Sequence, residues 1–99
     1  MNPKIYEFDA TLYAVDGVDG AYIEFPYDLR EEFGKRRVPV TAYFDGEPYK
    51  GSLVYYGRPH PVLGVRKEIR NKIGKRPGDR VRVRLQQRDP RAGEAGSSQ

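Results

Sequence analysis

The sequence predicts one mainly β domain with two short helices, a pseudo-two-fold β-barrel built from two β-β-α-β units in a single chain. Three observations predict it. Residues 26–36 are echoed forty positions later by residues 66–76: Leu29 matches Ile69, Arg30 matches Arg70, Phe33 matches Ile73, and Gly34-Lys35-Arg36 matches Gly74-Lys75-Arg76. A period of that length in a short chain is one supersecondary unit used twice. Several runs alternate apolar with polar residues, the period of a strand with one buried face. Each copy of the repeated phrase offers only two apolar residues at i and i+4 before its glycine, a helix of about two turns.

The elements follow in order. Tyr6, Phe8, Ala10, Leu12 and Ala14 form the inward face of a first strand, and Asp16-Gly17-Val18-Asp19-Gly20 forms a turn. Gly there accepts positive φ and Asp bonds its own backbone. Ile23 and Phe25 point inward from a short strand. Pro26 suits the first helical position, where its missing N–H is harmless. The helix carries Leu29 and Phe33, and Gly34 ends it in a left-handed cap. Val38, Val40, Ala42 and Phe44 give the next strand, with Pro39 predicting an edge position because it lacks an N–H donor. Asp45-Gly46-Glu47-Pro48 is the hinge. The order then returns, with inward Tyr49, Gly51, Leu53 and Tyr55, a turn over 57–61, Leu63 and Val65, a helix with Ile69 and Ile73, and a last strand with Val81, Val83 and Leu85. The expected domain spans 5–88, as pseudo-repeats 5–45 and 48–88, before a Gly/Ala/Ser-rich tail at 89–99 expected to be disordered. Neither half has enough apolar face to stand alone, so two halves close a six-stranded barrel and hide its edges.

Composition excludes more than it identifies. There is no cysteine, hence no disulfide framework or thiolate ligand, as fits a reducing cytoplasm. The first residues enter the alternating pattern at once, with no apolar stretch of a signal peptide and no membrane span. The net charge of +4 conceals an asymmetry. Residues 1–47 hold five Lys/Arg against ten Asp/Glu, a net of −5, and residues 48–99 hold thirteen against four, a net of +9. Opposite halves attract each other across a shared interface.

The run Val65 to Val83, with Lys67-Glu68-Ile69-Arg70, Gly74 and Pro77-Gly78-Asp79 at its centre, resembles the half-unit of the AbrB/MazE/SpoVT class of swapped-hairpin barrels. In that class two short chains form a DNA-binding dimer; here both half-units lie in one chain. The leading proline of the pattern stands at Pro26 and is replaced by Arg66 in the second copy. Over residues 5–89 the chain more closely resembles the family called domain of unknown function 1905. The likeness rests on Glu24-Phe25-Pro26, Phe33-Gly34, Arg37-Val38-Pro39-Val40, Asp45-Gly46, Gly51-Ser52-Leu53, Leu63-Gly64-Val65, Arg66 to Arg70, and Gly78-Asp79. It implies a double-split barrel and no assigned activity. Members are often fused to a helical segment resembling the bacteriocin-protection (YdeI/OmpD-associated) proteins, which raises a separate YdeI-like partner as a requirement for function.

No catalytic constellation is legible, so the expected class is a non-catalytic binding or adaptor module whose partner is a polyanion or a protein. No membrane partner and no cofactor are expected, and the chain is a monomer or weak homodimer. The working surface expected is basic: Arg80, Arg82 and Arg84 on one face of the last strand, about 7 Å apart by strand rise, joined by Arg66, Lys67, Arg70 and Lys72 on the second helix. That spacing is near the phosphate spacing of a nucleic-acid strand. The plainer reading is a solvated face neutralised by acids of the first half. Tyr13, Tyr22, Tyr43 and Tyr56 fall on outward parity, to stack on bases, anchor a partner or cover the outer rim. Nucleic-acid binding is the alternative function, and Asp28, Glu31 and Glu32 on the first helix oppose a symmetric DNA footprint. A small-molecule site or enzyme beside Arg70, Tyr55 and His60 is the lesser alternative. His60, the one histidine, lacks an orienting Ser, Cys or Asp at recognisable spacing, and no metal-ligand spacing is present. Gly74 to Asp79 follows a helix rather than opening one, so it is a cap and turn, not a phosphate loop.

Overall fold

The computed structural model of the protein describes residues 2–89. Its strands are β1 (Ile5–Thr11), β2 (Tyr13–Ala14), β3 (Ala21–Glu24), β4 (Arg37–Phe44), β5 (Glu47–Val54), β6 (Val62–Gly64) and β7 (Arg80–Gln87). Helix α1 (Leu29–Phe33) lies between β3 and β4, and α2 (Lys67–Ile73) between β6 and β7. All seven strands form one antiparallel sheet in the order β1-β7-β4-β5-β6-β3-β2. It curls into a half-barrel. The chain is therefore mainly β with two short helices, as the alternation predicted. Of the expected disordered tail, residues 90–99 lie outside the described residues.

Seven strands replace the expected six because the first one breaks at Leu12. Its N–H donates to Asp79 O at 2.9 Å and its C=O accepts from Gly78 N at 2.8 Å. The turn before β7 thus takes the bonds a continuous strand would have used. Beyond it the chain leaves β7 for β3, where Tyr13 pairs with Tyr22. Ala14, placed inward by strict alternation, is exposed. The sheet also stays open at its end: β1 and β3 approach each other without a ladder joining them.

The core is the concave face of that sheet. Val38, Val40, Ala42 and Phe44 of β4 interleave with Val81, Val83 and Leu85 of β7, all buried, with Leu53, Leu63, Ile23 and Phe25 from the other strands. Each large side chain so buried contributes about 1.5–3 kcal/mol. Gly51 holds an inward position without a side chain because a Cβ there would lie 2.8 Å from the Tyr49 ring and 3.0 Å from Leu63.

Both helices seat one residue firmly, Leu29 and Ile69, with Phe33 and Ile73 packed at the margin. Gly34 and Gly74 close them at φ 71° and 69°, as the glycines predicted. The start of α1 differs from expectation. Pro26 is not its first residue: Asp28 is the cap, accepting from Glu31 N at 3.2 Å, a preferred capping arrangement.

Pro39 is not on an edge strand. β4 is central, between β7 and β5. Its proline is tolerated because the missing donor faces the end of a ladder: Pro39 O accepts from Arg88 N at 3.0 Å, one residue past the end of β7. The hinge is likewise a tight turn. Phe44 pairs with Glu47, and Asp45 and Gly46 between them have φ of 50° and 89°, the two-residue hairpin geometry that Asp-Gly favours.

Candidate functional site at the β5–β6 loop

Acids of the first half pair with part of the basic surface the sequence points to. Asp19, in the β2–β3 turn, meets Lys67 at 3.2 Å and Arg70 at 3.4 Å. Lys67 then Arg70 hold the Asp19 carboxyl below the usual carboxylate range. Glu47 meets Lys72 at 3.3 Å, and Arg82 bridges Asp9 at 3.3 Å and Glu7 at 3.4 Å. All four acids come from the first half. Arg70 is not a surface residue at all. It is 7% exposed, its Nε donates to Val65 O at 3.1 Å, and it is a clamp between α2 and the β2–β3 turn. Arg66, Arg80 and Arg84 form no ion pair among the described residues. Arg66 lies over the Tyr49 ring at 5.6 Å. Arg80, Arg82 and Arg84 share the exposed face of β7, while Arg66, Lys67, Arg70 and Lys72 belong to α2 and its cap.

Arg70, Tyr55 and His60 are not one ligand site either. Tyr55 donates to Asp28, whereas His60 lines a cleft of about 280 Å³ with Asp9, Thr11, Tyr13, Glu24 and Arg80, and Arg70 faces Asp19.

What gathers instead is the loop between β5 and β6, residues 55–61. Arg58 N donates to Tyr55 O at 2.9 Å, and the two residues between, Tyr56 and Gly57, have φ of 53° and 73°. This is the same mirror-image turn as at Asp45-Gly46, but with tyrosine in the first left-handed position. A bulky side chain there is a genuine outlier, and such strain costs of order 1–3 kcal/mol. Tyr56 nevertheless stands 83% exposed, so its ring returns little of that energy as burial. It borders a mostly apolar cleft of about 310 Å³ with Val15, Ala21, Tyr22, Val54 and Val62. Arg58 shares that cleft, its guanidinium stacked over the Tyr22 ring at 4.6 Å.

On the other side of the turn, Arg58, Gly57 and Pro59 face α1. With Arg30, Arg36, Asp28 and Tyr55 they line an open cleft of about 390 Å³. Tyr55 ties the two walls together, its hydroxyl donating to Asp28 and accepting from Leu29 N at 3.1 Å. That bond holds the Asp28 carboxyl below its ordinary range and pushes the Tyr55 phenol up. Parity did mark Tyr56 as outward. Nothing in the sequence connects Arg30 and Arg36 with Arg58, because no period relates a helix to a loop that only the tertiary fold brings beside it.

No helix among the described residues is long and apolar enough to cross a membrane. No curated protein matches the chain. Residues 8–85, from the middle of β1 to the inward Leu85 of β7, match the model of the family described as Domain of unknown function (DUF1905), and the chain belongs to that family.

Proposed function

We propose that the protein is a non-catalytic binding module whose working surface is the β5–β6 loop, with Tyr56 as an aromatic anchor and Arg58 beside it. One observation carries the reading: Tyr56 occupies a backbone conformation its side chain disfavours while standing almost wholly in solvent. A residue that costs stability and contributes little packing points to a role in contact with a partner. The neutralised cations of α2 and β7 support moving the surface within the basic second half, from α2 and β7 to the β5–β6 loop. Arg84, on β7 opposite the 40%-exposed Tyr43 of β4, keeps single-stranded nucleic acid as a second reading, since stacking beside a guanidinium suits an exposed base.

The test is a fluorescent single-stranded oligonucleotide titrated at low and high salt. Binding that falls steeply with salt and is lost in Tyr56→Asn supports a polyanion at the loop. Binding that survives Tyr56→Asn but is lost in the double substitution Arg80→Ala/Arg84→Ala returns the surface to β7 and overturns the loop reading. No saturable binding at low salt removes nucleic acid as the partner. Asn, which tolerates positive φ, should also raise stability by about 1 kcal/mol, read as a higher urea midpoint at unchanged m-value; no rise means that Tyr56 is not strained.

The duplicated, double-split architecture of the AbrB-like kind is part of the same proposal. Mapping β1 onto β5, β3 onto β6, α1 onto α2 and β4 onto β7 exchanges the pair β1·β7 with β5·β4 and returns β4·β7 and β3·β6 to themselves. Superposition of residues 5–45 on 48–88 in an experimental structure is the check, and halves that do not overlay would sink it.

A further inference from the structure

The geometry points to a phosphate-monoester site in the cleft between α1 and the β5–β6 loop, held by Arg30, Arg36 and Arg58. This deepens the binding-module reading and rests on it for the importance of the loop. The three arginines come from three segments, α1, the α1–β4 connection and the β5–β6 turn, and line one open cleft. All three are exposed, and none forms an ion pair among the described residues. On α2 and β7, Lys67, Arg70, Lys72 and Arg82 each meet an acid, and the two arginines of β7 that do not, Arg80 and Arg84, line different clefts. Arg30 and Arg36 belong to the acidic half of the chain, yet neither meets an acid at ion-pair distance among the described residues, and Arg30 acts on the Asp28 carboxylate only from farther off.

The charge balance selects the ligand. Asp28 is the one acid lining the cleft. Its oxygens are already occupied, one accepting from the Tyr55 hydroxyl and the other from Glu31 N. Three guanidiniums against one carboxylate leave a local charge of +2. A phosphate monoester, with a second pKa near 6, brings about −1.5 to −2 at neutral pH. A carboxylate or a phosphodiester brings half as much. Guanidinium groups bond phosphate oxygens through paired N–H donors; Arg58, whose guanidinium stands over Tyr22 in the neighbouring cleft, leaves that ring to close on the anion. A cleft of about 390 Å³ holds a phosphoryl group with room for a small esterified moiety.

The experiment is amide-resolved NMR titration of the full chain at pH 7.5 with phenyl phosphate, glycerol 3-phosphate and dimethyl phosphate. Saturable shifts at residues 28–30, 36 and 57–59 are expected with one or both monoesters, and the two esters distinguish an aromatic from an aliphatic source of the same phosphate. Affinity should fall at least tenfold in Arg36→Ala and in Arg58→Ala, and less than twofold in Arg84→Ala. All three positions are exposed, and an unchanged spectrum of the free variant certifies its fold. Dimethyl phosphate, a monoanion, should bind at least tenfold more weakly. No saturable shift, an equal loss in Arg84→Ala, or a diester bound as tightly as a monoester overturns the site. Failure here is separable from failure of the loop anchor: oligonucleotide binding lost in Tyr56→Asn while phenyl phosphate does not bind keeps the anchor and removes the cleft. Phenyl phosphate bound equally by wild type and Tyr56→Asn keeps the cleft without the anchor.

Discussion

The phenol of Tyr55 donates to Asp28, the residue that caps α1, and so ties the end of β5 to the start of a helix 26 residues earlier. The cap satisfies Glu31 N with one carboxylate oxygen and holds Tyr55 with the other. One exposed acid thereby sets both the helix start and one wall of the arginine cleft.

The bond has a pH signature. Tyr55, then the backbone donors of α1, hold the Asp28 carboxyl below its ordinary 3.8. A depressed carboxylate stabilises the fold above its unfolded pKa, and the contribution is lost as pH falls through the folded value. The window is therefore below about pH 4. Tyr55→Phe should move the Asp28 side-chain titration upward, read from its carboxyl carbon shift, and should narrow the acid-sensitive window. An unmoved Asp28 titration in that variant would show that the phenol does not reach the cap in solution.

Much of the fold was legible because burial imposes a period. Val38 to Phe44 and Val81 to Leu85 alternate in the sequence and alternate in the sheet, and Gly34 and Gly74 end helices where only a left-handed residue closes them. The failures share one cause, since each depended on a partner that no local pattern names. Leu12 breaks its strand because Gly78 and Asp79 take its hydrogen bonds. Pro39 sits in a central strand because β7 runs out beside it. Arg70 matched Arg30 in the repeated phrase, yet one is buried and the other lines the candidate cleft. A charged residue's role depends on which acid the fold sets opposite it, and that acid can lie fifty residues away.

Arg70 carries the second prediction. Its Nε serves the Val65 carbonyl at 3.1 Å, and its terminal nitrogens reach Asp19 at 3.4 and 3.5 Å. Removing a buried donor strands its acceptor at about 1–3 kcal/mol, with the loss of the packed stem added. Arg70→Ala should lower urea stability by about 2–3 kcal/mol. Arg70→Lys should recover little, because a lysine has no Nε to bond Val65. Asp19→Asn, by contrast, touches an exposed carboxylate in solvent-screened contacts, and should change stability far less than Arg70→Ala. Equal losses in the two would place the role of Arg70 in the ion pair rather than in the backbone bond.

Tyr6 carries the third prediction, the alkaline limit of the fold. Its ring packs edge-on against Phe25 at 5.2 Å and beside Phe33 at 5.5 Å, and its hydroxyl donates to Glu32 at 2.5 Å while accepting from Asn2 at 2.8 Å. Burial first, then the Glu32 acceptor, push the phenol from 10.0 up to about 12. A phenol raised in the folded state stabilises the fold below its unfolded pKa, and that contribution is lost as pH rises through the folded value. The window runs from about pH 10 to 12, and a two-unit rise corresponds to on the order of 2–3 kcal/mol. In an ultraviolet phenolate titration one tyrosine should ionise last and together with unfolding. Tyr6→Phe should remove that component and shift the alkaline midpoint upward, even though losing the Glu32 bond lowers stability at pH 7. An alkaline midpoint unchanged by Tyr6→Phe would assign the limit to another group, with Tyr55, whose phenol is also raised, the next to substitute.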